Sequence, residues 1–114
     1  MSNTIIENED LFISLHLMHQ VDSEYTKELI KQNYITKSYA NTKKAEEFIN
    51  RFYNSKKELV YNAMKKINNK ELDVIFVKNE AGLEEYISIE IIIDRLIDEG
   101  KIKIVQDNRY IINE

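Results

Sequence analysis

The amino-acid sequence predicts a mainly α-helical protein of a single domain that ends in a two-stranded β-hairpin. Apolar residues recur at helical spacing through much of the chain, and two β-branched runs flank an Asp-Asn pair near its carboxyl end. The chain contains two glycines and no proline, so few residues interrupt regular structure. Its 114 residues, 43% of them hydrophobic and 32% charged, match a globular domain with one core.

The amino-terminal part is predicted to begin with a disordered tail, residues 1–9, which precedes the single domain 10–114. Asp10 is a capping residue before an apolar segment, residues 11–20, although alternate residues such as Leu11, Ile13 and Leu15 also fit a strand. We expect a helix at this position, as the first element of a helical extension over residues 10–54.

Capping residues and apolar spacing predict the next three helices. Asp22 begins a segment that runs to about residue 34, and apolar side chains one turn apart mark a clear helix over residues 41–54. Ser55 is followed three residues later by Glu58, which is the pattern of a capping box. We therefore expect a separate helix over residues 55–69.

The last third of the chain combines one open assignment with two clearer ones. Residues 72–77 are rich in β-branched and aromatic residues, which favours a strand, while their context favours a helix. Helical spacing resumes over residues 84–99, and Gly100 supplies a helix stop. Two β-branched runs then flank Asp107-Asn108, so we predict a hairpin with a two-residue turn, since both residues tolerate a positive φ.

The run 83–102, with the hairpin after it, resembles the third helix and wing of winged helix-turn-helix domains. The ending Leu96-x-x-Glu-Gly-x-Ile102 carries the resemblance, because the helix must stop at Gly100 and the next Ile must enter the hairpin against the core. The resemblance implies a winged-helix-like part over residues 55–114, with the helical amino-terminal half packed on it. Residues 84–99 would then be the helix that family members commonly lay in the major groove.

Two positions depart from the family pattern. Where a small residue is usual the chain has Lys78, and where an apolar residue is usual it has Ser88. We therefore expect an irregular turn between the second and third helices, around Gly82.

Charge is unevenly distributed along the chain, which has a net charge of -4. Residues 26–70 hold eleven basic and four acidic residues, a local charge of +7, and could form a basic face on double-stranded DNA. The alternative is that these lysines only solvate the polar faces of helices. The residues that we expect to contact phosphates lie in this segment and in the hairpin: Lys37, Lys43, Lys44, Lys56, Lys57, Lys101, Lys103 and Arg109.

The predicted third helix is acidic, and its outward positions include Glu90, Asp94 and Asp98. Phosphates would be repelled there, because nucleic-acid affinity depends largely on Lys and Arg. Winged-helix-like domains also serve as protein-binding modules, so the alternative hypothesis is that this helix docks on a larger basic protein.

The first predicted helix is apolar on nearly every side, which suggests either a central position in the monomer or an interface in a homodimer. The four residues expected at such an interface are Leu11, Phe12, Leu15 and Met18. Both alternatives remain open from the sequence.

Several classes of function and location are not expected. The chain has no cysteine and no glycine-rich phosphate loop or nucleophile elbow, so we predict no enzymatic activity, no metal and no cofactor. The polar amino terminus and the lack of a long apolar run predict a cytoplasmic protein without a membrane contact. Abundant Ile, Lys and Asn indicate an AT-rich genome, such as that of a low-GC bacterium or of a phage or plasmid.

Overall fold

Five helices and two strands are present in the part of the chain that the computed structural model describes, residues 7–17, 24–68, 70–105 and 109–113. This confirms the predicted class, mainly helical with a carboxy-terminal antiparallel hairpin. None of the helices in these ranges has the length and apolar character that a bilayer-spanning segment needs. In chain order the elements are α1 (Glu9–His16), α2 (Glu24–Lys31), α3 (Lys43–Lys66), α4 (Val74–Ala81), α5 (Tyr86–Asp98), β1 (Ile102–Ile104) and β2 (Tyr110–Ile112).

The chain divides into two compact units, Met1–Phe52 (unit 1) and Tyr53–Glu114 (unit 2), and the division falls inside α3. Each unit buries an apolar core of its own. The core of unit 1 consists of Leu11, Phe12, Leu15, Leu29, Tyr34, Ile35, Ala45, Phe48 and Ile49. The core of unit 2 consists of Tyr53, Val60, Ala63, Met64, Val77, Ala81, Leu83, Ile89, Ile92, Ile93, Leu96, Ile102, Tyr110 and Ile112.

In unit 1, α1 begins at Glu9, two residues before the predicted position. The side chain of Asn8, rather than Asp10, caps the helix by accepting a hydrogen bond from the backbone N–H of Leu11. Residues 1–6 of the predicted tail lie outside the described residues. Glu7 is held in place, because its carboxylate accepts hydrogen bonds from Tyr34 and Arg51. The predicted disordered tail is therefore too long at its carboxyl end.

The start of α3 is fixed by Thr42. Its hydroxyl donates to the backbone carbonyl of Tyr34 and accepts from the backbone N–H of Ala45, so one side chain closes the preceding loop and caps the helix. The expected start of α2 at Asp22 lies outside the described residues, and α2 ends at Lys31, earlier than predicted.

The prediction of separate helices over 41–54 and 55–69 is wrong, since α3 runs unbroken through Ser55. The apolar positions before and after Ser55 stay in phase on one helical face, as Tyr53 and Val60 are one heptad apart. A capping box contributes about 1 kcal/mol, whereas ending the helix there would remove several backbone hydrogen bonds. Continuity therefore outweighs the local capping pattern.

In unit 2, the open assignment of residues 72–77 resolves as the start of a helix. Asp73 caps α4 by accepting from the backbone N–H of Phe76. Only Glu71 has strand character, in an isolated bridge to Arg109. The turn after α4 is regular, although Lys78 stands where winged-helix domains usually have a small residue. The Lys78 side chain extends away from this position, and its ammonium donates to the carbonyl of Leu83.

The two glycines end α4 and α5 in the same way. Gly82 and Gly100 have positive φ values of 67° and 75°, which confirms that Gly100 stops the helix. The N–H after each glycine bonds back to the preceding helix, from Leu83 to Lys78 and from Lys101 to Leu96. Both helix ends are thus Schellman motifs.

The hairpin pairs Ile102 with Ile112 and Ile104 with Tyr110. The predicted Asp107-Asn108 turn lies outside the described residues. A further bond from the Val105 N–H to the Arg109 carbonyl extends the ladder by one residue pair.

Replacing either glycine by alanine should destabilise unit 2 through the backbone alone. A Cβ at Gly100 meets no atom within 4 Å, so the cost is that of a left-handed conformation, about 1 kcal/mol of unfolding free energy. Urea denaturation of Gly100→Ala and Gly100→Asn measures it. Asparagine tolerates this conformation better and should recover part of the loss, whereas equal losses in the two variants would contradict a conformational origin.

Candidate functional site

The outward side of α5 in unit 2 carries an apolar groove of about 460 Å³, here called the α5 groove. Its floor and walls come from the segment before α4, from α4, from α5 and from β1. The lining residues are Leu72, Val74, Ile89, Glu90, Ile93, Asp94, Ile97 and Ile104.

The spacing of residues on α5 creates the long wall of the groove. Ile89, Ile93 and Ile97 are four residues apart and therefore form one row along the helix. Ile89 and Ile93 are buried and serve the core as well, while Ile97 is half-buried. Ile104 of β1 faces this row with 44% of its surface exposed. The aliphatic surface that is open to solvent therefore comes mainly from Ile97 and Ile104, with the half-buried Leu72 and Val74 in the same lining.

Two carboxylates border this aliphatic surface. Glu90 and Asp94 are exposed and lie one helical turn apart. Neither has an ion-pair partner among the described residues. No lysine or arginine of the described chain lines the groove. Asp98, the third predicted acidic residue, is exposed one turn further along α5 and is not part of the lining.

A second, shallower depression adjoins the α5 groove at Leu72 and Val74. It adds two exposed apolar side chains, Ile75 at 57% and Tyr86 at 51% of their surface. It also adds two acidic residues, Glu71 and Asp73. The combination of aliphatic surface and carboxylates thus extends beyond α5 to the residues before α4.

The other side of α5 contacts α3 through a cluster around Tyr53. The Tyr53 hydroxyl donates to the Glu99 carboxylate, and the Arg95 guanidinium lies 4.2 Å from the centre of the Tyr53 ring. Lys57 completes the cluster 3.9 Å from Glu99. Glu99 is therefore engaged within unit 2.

The tyrosines of unit 2 predict a loss of stability at alkaline pH. Burial, followed by the hydrogen bond to Glu99, raises the pKa of Tyr53 far above 10.0, and burial raises the pKa of Tyr110 to about 12. A raised folded pKa favours the neutral phenol, so this stabilisation is complete below pH of about 10 and is lost as pH rises through the folded pKa. Unfolding free energies between pH 8 and pH 11 should therefore fall less steeply in Tyr53→Phe than in the original chain.

Lysine side chains also lose protons in that pH range and change the unfolding free energy. This contribution cancels in the comparison with Tyr53→Phe, because both proteins carry the same lysines. Exposed Tyr39→Phe is the matched control, since Tyr39 retains 38% of its surface. Parallel pH profiles of Tyr53→Phe and the original chain would contradict the predicted role of this phenol.

Two of the residues predicted to bind nucleic acid are engaged inside unit 2. The Lys56 ammonium lies 3.3 Å from the carbonyl of Ala81, and Lys57 pairs with Glu99. Both side chains are half-buried and support the ends of α4 and α5.

The predicted basic residues of the hairpin are exposed together. Successive strand residues face opposite sides, and Ile102 is buried, so Lys103 lies on the outer face with Lys101. Continuing the ladder through the Val105–Arg109 bond places Arg109 on that face as well. The outer face of the hairpin is thus basic and turned away from the α5 groove, which Ile104 lines.

The predicted basic residues of unit 1 differ in their surroundings. The Lys44 ammonium donates to the carbonyl of Gln32 and lies 4.2 Å from the centre of the Tyr34 ring. Lys43 is exposed beside Glu47, at 4.0 Å, and Lys37 is exposed in the loop before α3.

The apolar residues expected at a homodimer interface are core residues of unit 1. Leu11, Phe12 and Leu15 retain at most 1% of their surface, and the Phe12 ring stacks on Phe52 with centroids 4.4 Å apart. Of the two alternatives left open for α1, burial therefore accounts for these three residues. Met18 lies outside the described residues.

The sequence pointed to Glu90 and Asp94 but not to the apolar part of the groove. Leu72, just before α4, and Val74, its first residue, are distant in sequence from Ile104 of β1. In the sequence they have only one feature in common. Each is an aliphatic residue in or beside a short helix or strand that cannot bury all of its apolar side chains.

The described residues contain no group of three or more His, Cys, Asp or Glu side chains arranged to hold a metal ion. Comparisons with protein-family models, with curated proteins and with solved structures found no match for this chain.

Proposed function

We propose that unit 2 is a winged-helix-like domain that binds another protein through the α5 groove. The order of elements supports the first half of this proposal. The end of α3 is followed by a bridge residue, Glu71, then by α4, α5 and the hairpin β1–β2. This order is the one that the sequence resemblance implies for a winged helix-turn-helix domain.

The lining of the α5 groove is the single observation that carries the second half. A helix that reads DNA needs cationic and hydrogen-bonding side chains on its outward face, since phosphates and base edges are polar. The α5 groove instead offers aliphatic surface bordered by Glu90 and Asp94. Protein interfaces have an apolar centre and a polar rim, which is the arrangement here.

Site-specific photo-crosslinking tests the proposal. A photo-reactive amino acid at Ile104 should form a protein adduct in extract of the producing cells, and Glu90→Lys/Asp94→Lys should abolish that adduct. The matched control is the same amino acid at Leu59 on α3, which is equally exposed at 45%. Adducts of equal yield at the two positions, or an adduct that survives the charge reversal, would contradict binding at the groove.

DNA binding is the second candidate function, and the outer face of the hairpin favours it. Lys101, Lys103 and Arg109 are exposed on one face, so they present three positive charges to a phosphate backbone. The triple alanine variant should then weaken binding to a mixed-sequence duplex and make it less salt-dependent, since each lost phosphate contact lowers the salt slope by about one. Unchanged affinity and slope would reject this use of the hairpin.

A further inference from the structure

We propose that the occupant of the α5 groove is an amphipathic α-helix of a partner protein, with lysine or arginine beside its aliphatic stripe. This inference rests on the proposed protein-binding function and adds the chemistry of the partner. Three features of the groove support it: its length, the charge on its border and the closed edge of β1.

The length of the groove suits two turns of helix. Its wall on α5 extends over residues 89–97, which corresponds to about 12 Å at 1.5 Å per residue. Aliphatic side chains at positions i, i+4 and i+7 of a bound helix span about 10.5 Å on the same rise. Such a helix would place its anchors against the accessible aliphatic side chains of the groove, which are Leu72, Val74, Ile97 and Ile104. Helix-in-groove binding uses this spacing in general.

The charge on the border requires a basic partner. Glu90 and Asp94 stand on the α5 side, and Glu71 and Asp73 stand at the adjoining depression. A partner with carboxylates next to its aliphatic stripe would be repelled from both sides. Lysine and arginine suit the position, because their long stems can cover aliphatic surface while their charged ends reach the carboxylates.

An extended partner strand fits less well, because the free edge of β1 is largely closed. The backbone hydrogen bonds from Val105 to Arg109 and from Asn113 to Lys101 show that the N–H and C=O groups of odd-numbered residues in and beside β1 point toward β2. The backbone groups of Ile102 and Ile104 therefore point to the other edge. Ile102 retains only 1% of its surface, so only Ile104 remains open to an added strand. One residue is too few for strand addition.

Peptide binding to the full chain tests the inference. The chain contains no tryptophan, so a single Trp in each peptide reports its own transfer to the apolar groove by fluorescence. The first peptide has Leu and Lys at helical spacing. The second has the same composition with Leu and Lys alternating, and the third has Glu in place of Lys at helical spacing. We expect the first peptide to bind at least about tenfold more tightly than either of the others.

Two charge variants separate the groove from the net charge of the chain. Glu90→Lys/Asp94→Lys should weaken the first peptide by about tenfold or more, since two attractive contacts become repulsive. Glu46→Lys/Glu58→Lys changes the net charge equally at two exposed positions of α3 and should leave the affinity nearly unchanged. Equal weakening by both variants, or tighter binding of the alternating peptide, would overturn the inference.

The result also separates this inference from the proposed function. If none of the peptides binds but the Ile104 adduct forms and depends on Glu90 and Asp94, the groove binds protein and the basic helix is rejected. If the adduct is absent as well, the proposed function fails with it.

Discussion

Replacing Phe12 by alanine should lower the unfolding free energy of unit 1 by about 3 to 5 kcal/mol, the usual cost of removing a fully buried aromatic ring. The ring of Phe12 has no exposed surface, stacks on Phe52 and meets the His16 ring edge-on with centroids 4.6 Å apart. Alanine would leave a cavity in a small core that has few other aromatic contacts to compensate. Thermal or urea denaturation followed by circular dichroism measures the loss.

Protein concentration distinguishes a core role for Phe12 from an interface role. A core defect in a monomer lowers stability equally at every protein concentration, whereas the midpoint of a dimer rises with protein concentration and loses this dependence when the interface is broken. Phe12→Leu is the matched variant, because it keeps an apolar side chain and should cost less than half as much as alanine. A midpoint that rises with protein concentration in the original chain but not in Phe12→Ala would contradict the assignment of α1 to the core.

Local sequence patterns were sufficient to predict most helices and the hairpin, and they failed where two local preferences competed. Gly100 ends α5 as expected, because a left-handed residue after a helix leaves little alternative to a stop. Ser55 satisfied a capping pattern and still lies inside α3. Capping is a preference of about 1 kcal/mol, and an uninterrupted apolar face around it is worth more.

The α5 groove was less predictable, because it depends on contacts between segments that are distant in sequence. The acidic positions of α5 follow from helical periodicity alone, so Glu90 and Asp94 could be identified in advance. Ile104 could not be identified in advance. The sequence of a three-residue strand does not show which side chains face the core, and this becomes clear only once Ile102 is known to be buried. The contact between the Glu7 carboxylate and Arg51 was likewise not predictable, because the two residues are 44 positions apart in the sequence.

The charge reversal Glu90→Lys/Asp94→Lys should raise the affinity of unit 2 for duplex DNA. If α5 occupies the position of a groove-reading helix, its outward residues face the phosphates and base edges of a bound duplex. Replacing two carboxylates by two ammonium groups removes repulsion and adds two phosphate contacts. We expect affinity for a mixed-sequence duplex at low salt to rise by about tenfold or more, with a salt slope steeper by about two.

Fluorescence anisotropy of a labelled duplex, titrated at several salt concentrations, measures both quantities. Glu46→Lys/Glu58→Lys again supplies the same change of net charge at two exposed positions of α3. A gain confined to the α5 variant would support the orientation that a winged-helix-like unit 2 requires. Equal gains in both variants would mean that DNA responds only to net charge. No gain in either would mean that α5 does not present this face to a duplex, and the winged-helix assignment of unit 2 would then fail.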